Sequence, residues 1–312
     1  MTDPRATALE EVADRLGLLA RRDVPLGPLT TYRVGGPAAL FVTVEGDADL
    51  ARVRDALRGT SVPVLVVGNG SNLLVADRGF AGLAIRLGEA YADIVIDGTR
   101  VQAGGAALLP VVARRTAAAG LTGFEWAVGV PGSIGGAVRM NAGGHGSDMA
   151  ATLTRVRVVD LERGEDGWVP ATALDLAYRH SAIRPSQIVV RAELALRRGD
   201  AAQAEAEVAA IVRWRRANQP GGQNAGSVFT NPPGDAAGRL IETAGCKGMR
   251  VGTAVVSDKH ANFFIADPQG RADDVEALMR QVQRRVHEVH GLWLVPETRL
   301  AGFPDPPPEV EG

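Results

Sequence analysis

The sequence predicts an α+β fold with a larger N-terminal region and a smaller C-terminal α/β domain, and three observations lead to this prediction. The chain has 312 residues, more than the roughly 100–200 residues of a typical single domain. Strand-like and helix-like segments alternate in its N-terminal part in the order of a β-α-β unit. At Gly199 and Asp200 the composition changes to an Ala- and Glu-rich helical pattern, and we place the domain boundary there.

The N-terminal elements follow from apolar spacing and from the residues that interrupt it. A helix over 5–20 ends before the breakers Pro25, Gly27 and Pro28. The predicted elements that follow are a strand at 40–44, a helix at 47–57 with an acidic start, a buried strand at 62–67, strands at 83–87 and 94–96 with a turn at Asp97-Gly98, and a helix at 111–119 ended by Gly120. Beyond the second glycine-rich stretch, strands are predicted at 156–159 and 188–196, separated by a turn rich in Gly, Glu and Asp.

The C-terminal domain is predicted to begin with the helix at 200–218. Its remaining elements are a helix at 236–244, strands near 251–256 and 262–266, a long helix at 273–290 and a last strand at 292–300. The predicted organisation is therefore a first domain at 1–199, with subdomains of about 1–88 and 89–199, a second domain at 200–303, and a flexible tail at 304–312 that contains Pro, Gly and acidic residues.

Bulk properties exclude several classes of function. The net charge is −2 and the basic residues are scattered, which argues against a nucleic-acid partner. Cys246 is the only cysteine, and the histidines lack ligand spacing, so no disulfide or metal site is expected. No signal peptide is recognisable, and no apolar run reaches the roughly 20 residues that span a bilayer. We expect a cytoplasmic protein that is a monomer.

Two glycine-rich loops favour a cofactor site. Gly68-Asn-Gly-Ser-Asn-Leu73 follows a buried strand, as a phosphate-binding loop would, yet it is neither a Rossmann fingerprint nor a P-loop, and a tight structural turn is the alternative. The second loop, residues 129–146, is too rich in glycine for a helix or a sheet interior. Two such loops suit an elongated dinucleotide such as FAD, whose pyrophosphate and ring system need close backbone approach.

Three polar residues are candidates for the reaction centre. On residue type alone, Ser227 suits a turn and Arg179 a surface ion pair. Ser227 lacks the G-x-S-x-G elbow of a nucleophile, which makes proton donation the more interesting role. Glu297 lies among residues that favour burial, and a carboxylate there has a partner or a function.

Taken in order, these motifs resemble the UDP-N-acetylenolpyruvoylglucosamine reductases, the MurB flavoenzymes of peptidoglycan precursor synthesis. The resemblance covers residues 30–300, nearly the whole chain. Its specific parts are Thr31–Gly36 (TYRVGG), Gly68–Leu74 (GNGSNLL), Pro131–Ala137 (PGSIGGA) with Met140–Gly143 (MNAG), Tyr178–Ser181 (YRHS), Gly226–Phe229 (GSVF), Leu240–Glu242 (LIE) through Lys247–Gly248, Lys259–Asn262 (KHAN) and Pro296–Glu297.

The resemblance implies an FAD-binding domain of the PCMH or vanillyl-alcohol-oxidase-like type, followed by a smaller α/β substrate-binding domain. It implies that NADPH reduces non-covalently bound FAD, which then reduces UDP-N-acetylglucosamine enolpyruvate to UDP-N-acetylmuramate. Ser227 would donate the proton, and Arg179 and Glu297 would stabilise the enol-like carboxylate. Cofactor contacts would come from Tyr32, Gly68, Asn69, Gly70, Ser71, Asn72, Pro131, Gly132, Ser133, Gly136, Asn141 and Val189, and substrate contacts from Tyr178, Asn231, Lys247, His260 and Arg299.

The chain departs from the family pattern in two places. Asn218 stands where a lysine is expected, followed by a short glycine-rich loop at 219–223. No long insertion separates Arg179 from the strand at 188–190, which indicates the compact subtype of the family.

Two other functions stay open. One is an oxidase or dehydrogenase on the same flavin fold, although the first glycine loop has no histidine to tether the flavin. The other is a non-catalytic nucleotide-binding protein, which would lack polar groups at the reaction centre, whereas Arg179, Ser227 and Glu297 are present.

Overall fold

The structure is a computed structural model that describes residues 4–304. Its chain folds into two compact units. Unit 1 comprises the residues up to Asp23, Ala39–Asn69 and Gly82–Arg215, and unit 2 comprises Val24–Ala38, Gly70–Ala81 and the residues from Arg216 onward. This division differs from the predicted boundary near residue 200, because two segments of the N-terminal half belong to unit 2 and most of the helix after residue 200 belongs to unit 1.

The helices follow the predicted order closely. They are α1 (Pro4–Leu16), α2 (Asp47–Leu57), α3 (Leu109–Ala118), α4 (Ile134–Met140), α5 (Ala201–Asn218), α6 (Ala237–Thr243) and α7 (Ala272–His290). Helix α7 has an apolar face on which Val275, Leu278, Val282 and other residues at helical spacing are fully buried. It ends at Gly291, whose left-handed φ of 69° lets its N–H donate to the carbonyl of His287.

Within residues 4–304 the strands fall into six sheets of two to five strands. The first nine are β1 (Arg21–Pro25), β2 (Pro37–Val44), β3 (Val64–Val66), β4 (Leu73–Val75), β5 (Phe80–Leu87), β6 (Ile94–Asp97), β7 (Arg100–Gly104), β8 (Leu121–Thr122) and β9 (Gly143–Gly144). The others are β10 (Ser147–Asp148), β11 (Leu153–Asp160), β12 (Asp166–Pro170), β13 (Gln187–Ala195), β14 (Arg197–Arg198), β15 (Arg250–Val251), β16 (Ala254–Val256), β17 (Phe264–Ala266) and β18 (Arg299–Ala301).

Unit 1 contains two hydrophobic cores and two main sheets. The strand order is β1-β2-β5-β3 in one sheet and β12-β11-β13-β7-β6 in the other. One core includes Leu40, Leu83 and Ile85, and the other is built around α3, α4 and the five-stranded sheet, with Phe124 and Trp126. The antiparallel pairing of β11 with β13 and of β13 with β7 places Val189 next to the backbone of the second glycine loop's helix, α4.

Unit 2 has one core, and its three chain segments all contribute to it. Tyr32, Val34 and Leu74 from the two inserted segments pack in the same cluster as the buried face of α7 and the sheet β15-β16-β17. Strand β4 pairs in parallel with β18, with Leu74 opposite Leu300. The carboxylate of Asp77 accepts hydrogen bonds from the backbone N–H groups of Ala272 and Asp273 at the start of α7.

Three predictions about elements are wrong. The second glycine loop does contain a helix, α4, because tertiary packing offsets the low helix propensity of Gly135 and Gly136. The last strand covers only Arg299–Ala301, so Glu297 precedes it, and the exposed Val295 lies outside it. The segment between β11 and β13, which was predicted to be a turn, contains strand β12. Of the predicted tail, residues 305–312 lie outside the described residues. Within residues 4–304, no helix is long and apolar enough to cross a membrane.

Candidate active site

A cleft in unit 1 brings the two glycine-rich loops together. With its open mouth it holds about 670 Å³ of empty space. The predicted cofactor residues Gly68, Asn69, Ser133, Gly136 and Val189 line it. The side-chain amide of Asn69 donates to the carbonyl of Pro131, a hydrogen bond that joins the first loop to the second.

Around this cleft, neighbouring atoms leave no room for a side chain at two glycines and leave room for one at a third. A Cβ at Gly105 would lie 2.1 Å from the carbonyl oxygen of Val189, and one at Gly68 would lie 2.7 Å from the Ser133 hydroxyl. At Gly136 the nearest atom would be the Ser133 hydroxyl at 3.9 Å. A side chain at Gly136 would therefore project into the open cleft, and glycine keeps that wall clear for a ligand.

The charge of the cleft suits an anion. Arg86 and Arg139 line it, and no Asp or Glu is among its lining residues in the described part of the chain. The guanidinium of Arg139 donates to the carbonyl of Arg184, which fixes its position at the wall. Guanidinium groups pair well with phosphate oxygens, so the lining fits a diphosphate. Sequence reasoning missed Arg86 and Gly105, which lie outside both glycine-rich loops, and Arg139, which lies in the second loop between the two motifs PGSIGGA and MNAG.

Arg179 occupies the tip of a tight turn in unit 1. Ala177 and His180 exchange both of their backbone hydrogen bonds, and Arg179 between them has a left-handed φ of 55°. Its guanidinium donates to the carbonyl of Gly143 at 3.1 Å and lies 5.1 Å from the ring of Tyr178. Tyr178 is 57% exposed. A non-glycine residue in this conformation is held by its surroundings, as is common at functional sites.

Asn141, predicted to contact the cofactor, is placed differently. It ends α4 with a φ of 39° and is 2% exposed. Its amide bonds to Ala150, Asp148 and Ala177, all within unit 1, and it is not among the residues that line the cleft.

Ser227 and Glu297 are linked through one backbone carbonyl in unit 2. The carbonyl of Val228 accepts from the N–H of Glu297 at 2.8 Å and from the N–H of Thr298 at 3.2 Å. Gly226, with a φ of 77°, gives the sharp turn into Ser227. The hydroxyl of Ser227 and the carboxylate of Glu297 thus extend from two segments that are fixed to each other, and both residues are half-buried.

The other side of the Ser227 segment is fixed by Asn262. Its buried side-chain amide donates to the carbonyl of Phe229 and accepts from the Phe229 N–H. The backbone carbonyl of Asn262 accepts from the N–H of Val228. Asn262 lies two residues after His260, whose Nδ1 accepts from the Asn262 N–H. Burial lowers the pKa of His260, and the charge of Lys247 lowers it further. Lys247 forms a 2.7 Å ion pair with Glu242.

Most other predicted residues lie in unit 2. The side-chain amide of Asn72 donates to the carbonyl of Glu297, and the carbonyl of Asn72 accepts from Arg299 N–H. The oxygen of Asn231 accepts from the N–H of Ala237, the first residue of α6. Tyr32 is fully buried, and burial raises the pKa of its hydroxyl. The remaining three are Gly70 and Ser71, in unit 2, and Gly132, in unit 1, whose carbonyl accepts from Leu109 N–H.

No group of three or more His, Cys, Asp or Glu side chains that could hold a metal ion occurs within residues 4–304.

Comparison with known proteins gives two family matches. Residues 218–301 match the model of the UDP-N-acetylenolpyruvoylglucosamine reductase C-terminal domain, and residues 38–166 match an FAD binding domain.

Individual relatives agree with these matches. The chain is 46% identical over 308 residues to a UDP-N-acetylenolpyruvoylglucosamine reductase of Acidiphilium cryptum, covering 97% of this chain and 96% of the relative. It is 45% identical to the protein of the same name from Heliobacterium modesticaldum, covering 89% of each. The crystal structure of the Thermus caldophilus reductase (MurB) matches with a TM-score of 0.79 at 38% identity, covering 90% of this chain and 99% of that one.

Proposed function

The chain belongs to the UDP-N-acetylenolpyruvoylglucosamine reductase family, FAD-dependent oxidoreductases of peptidoglycan synthesis, and we propose that it uses NADPH as electron donor and Ser227 as proton donor. Its substrate is a small-molecule UDP-sugar, and we propose UDP-N-acetylglucosamine enolpyruvate, which is reduced to UDP-N-acetylmuramate. The observation that carries the proton-donor assignment is the Val228 carbonyl, which fixes the Glu297 segment to the Ser227 segment.

We place the FAD in the unit 1 cleft. Gly68, Asn69, Ser133, Gly136 and Val189 would contact it, because they line the cleft and Gly136 leaves that wall open. Arg86 and Arg139 would neutralise its diphosphate. When bound there, FAD would supply the hydride-transfer chemistry that links oxidation of the nicotinamide to reduction of the enolpyruvyl ether.

The protein's own residues manage charge and the proton. Hydride addition at the methylene carbon places negative charge on the adjacent carbon and the carboxylate. The Arg179 guanidinium stabilises that carboxylate more strongly in the transition state than in the ground state. The Ser227 hydroxyl donates its proton to the adjacent carbon, which completes the lactyl ether, and Glu297 assists by hydrogen bonding to the developing enol-like group.

Substrate contacts come from Tyr178, Asn231, Lys247, His260 and Arg299 in this proposal. Lys247 and Arg299 would supply positive charge for a UDP diphosphate, and the charge of Lys247 adds to burial in lowering the pKa of the His260 imidazole. We further propose that the protein acts as a cytoplasmic monomer. Sedimentation at catalytic concentrations, with and without substrate, tests the oligomeric state.

An anaerobic two-step experiment tests the function. The FAD-loaded protein is reduced with NADPH and mixed with UDP-N-acetylglucosamine enolpyruvate, and flavin reoxidation is followed for the native protein, Ser227→Ala and the exposed-serine control Ser61→Ala. Since a positioned acid contributes about 10²–10⁴-fold, Ser227→Ala should slow reoxidation at least 100-fold, while flavin reduction and Ser61→Ala stay at the native rate. Reduced native flavin that ignores this substrate but reacts with oxygen would favour the oxidase alternative.

A further inference from the structure

The Asn141 side chain uses both of its hydrogen-bond donors, and accepts one further hydrogen bond, inside unit 1. Its Oδ1 accepts from the N–H of Ala150 at 3.0 Å, and its Nδ2 donates to Asp148 Oδ2 at 3.2 Å and to the carbonyl of Ala177 at 2.9 Å. An amide nitrogen has two donors and an amide oxygen two acceptor positions. Because both donors are used by protein atoms, Asn141 has no donor left for a ligand.

Both donor contacts of Asn141 end on the structure that holds Arg179. Ala177 closes the turn that carries Arg179, through its paired hydrogen bonds with His180. Asp148 pairs with Gly143 across the hairpin of β9 and β10. The carbonyl of that same Gly143 accepts the hydrogen bond from the Arg179 guanidinium.

A second anchor connects the turn to the same helix. The hydroxyl of Ser181 donates to the carbonyl of Arg139 at 2.6 Å, near the C-terminal end of α4. The other end of α4 carries Gly135 and Gly136, which line the cleft, as Arg139 itself does. Helix α4 therefore borders the cleft along one side and holds the Arg179 turn at its C-terminal end.

The left-handed conformation of Arg179 makes these anchors necessary. A non-glycine residue in that region has a strained backbone, which persists only where the surroundings determine it. Without the Asn141 hydrogen bond to Ala177 and the Gly143 contact to the guanidinium, the turn would relax and the guanidinium would move. A displacement of about 1 Å in a positioned group can lower a rate 10²-fold.

We infer that Asn141 is a positioning residue, which fixes Ala177 and the Gly143 hairpin and thereby holds Arg179 in place. In this inference Asn141 does not contact the cofactor. This inference rests on the proposed role of Arg179 in stabilising the substrate carboxylate. It assigns to the MNAG segment a function in the second half-reaction, in which the substrate is reduced.

The test separates cofactor binding from substrate reduction. Asn141→Gly removes the side chain while keeping a residue that tolerates the φ of 39°. We expect native FAD affinity and native reduction by NADPH, with reoxidation by UDP-N-acetylglucosamine enolpyruvate slowed about 10- to 100-fold. Ser181→Ala, which removes the second anchor and leaves Asn141 in place, should show the same selective effect and provides the test if Asn141→Gly does not fold.

A double-mutant cycle shows whether Asn141 acts through Arg179. In an Arg179→Ala background, where no guanidinium remains to be positioned, Asn141→Gly should slow reoxidation by less than about twofold, as expected of coupled residues. Slowing by the same factor in both backgrounds, or a loss of FAD affinity with normal reoxidation, would overturn the inference. A native protein that does not react with the enolpyruvyl ether would instead contradict the proposed function, so the two failures are distinguishable.

Discussion

Replacing Gly136 with alanine should change folding stability and flavin affinity in opposite directions. Gly136 is an exposed residue within α4 and has no left-handed φ. Alanine is favoured over glycine in a helix by about 0.5–1 kcal/mol, and the new Cβ would meet only the Ser133 hydroxyl, at 3.9 Å. The FAD-free variant should therefore have a higher Tm than the FAD-free native protein.

The same methyl group would occupy space in the cleft. Forcing an extra methyl into a packed contact costs about 1–3 kcal/mol, which corresponds to a Kd for FAD raised about 5- to 150-fold. Fluorescence titration of the apoprotein with FAD measures this change, and differential scanning calorimetry of the FAD-free proteins measures the Tm.

Two matched variants make the comparison specific. Gly167→Ala, on an edge strand with nothing within 4 Å of the new Cβ, should leave FAD affinity unchanged. Gly105→Ala, whose Cβ would lie 2.1 Å from the Val189 carbonyl, should lower stability. A Kd for Gly136→Ala within twofold of the native value would refute the placement of the flavin against this wall.

Three further predictions concern unit 2. Asp77→Ala removes the cap of α7 and should lower stability by about 1–2 kcal/mol, measured by urea unfolding against the control Asp258→Ala. Because the pKa of His260 is lowered in the folded protein, the unfolded state binds a proton at this imidazole more readily. The free energy of unfolding should therefore decrease as the pH drops below about 6.5. His260→Gln should reduce this decrease, which unfolding experiments at pH 7.5 and 5.5 would measure. The Cys246 thiol is fully buried and its pKa is raised by that burial, so iodoacetamide should label it only in denaturant, as mass spectrometry would show.

Elements with strong local signals were predicted well from the sequence. Helix α2 has the predicted bounds, because an apolar face and an acidic first turn are both encoded within its own residues. Helix α7 differs from the prediction only at its start, which is Ala272 instead of Asp273. The family resemblance predicted the FAD-binding and reductase domains, which the family matches confirm.

Close backbone packing could not be predicted in the same way. Gly135 lies in a helix because its N–H donates to the Gly105 carbonyl and its missing side chain admits the Val189 carbonyl, at 3.0 Å from the position of a Cβ. Neither partner is near it in sequence. A density of glycine therefore indicated a loop, whereas the glycines serve the packing of a helix against β13.

The C-terminal half of the chain does not contain all of unit 2. Asp77 accepts from two N–H groups of α7 that lie 195 and 196 residues further along the chain, and no local capping pattern at Arg271 indicates it. Tyr32 and Leu74 complete the core that α7 covers. A contiguous domain at 200–303 would lack these side chains and this cap. The motifs around Tyr32 and Asn72 therefore combine two functions that a sequence motif cannot separate: they complete the core of unit 2, and Asn72 fixes the backbone of Glu297.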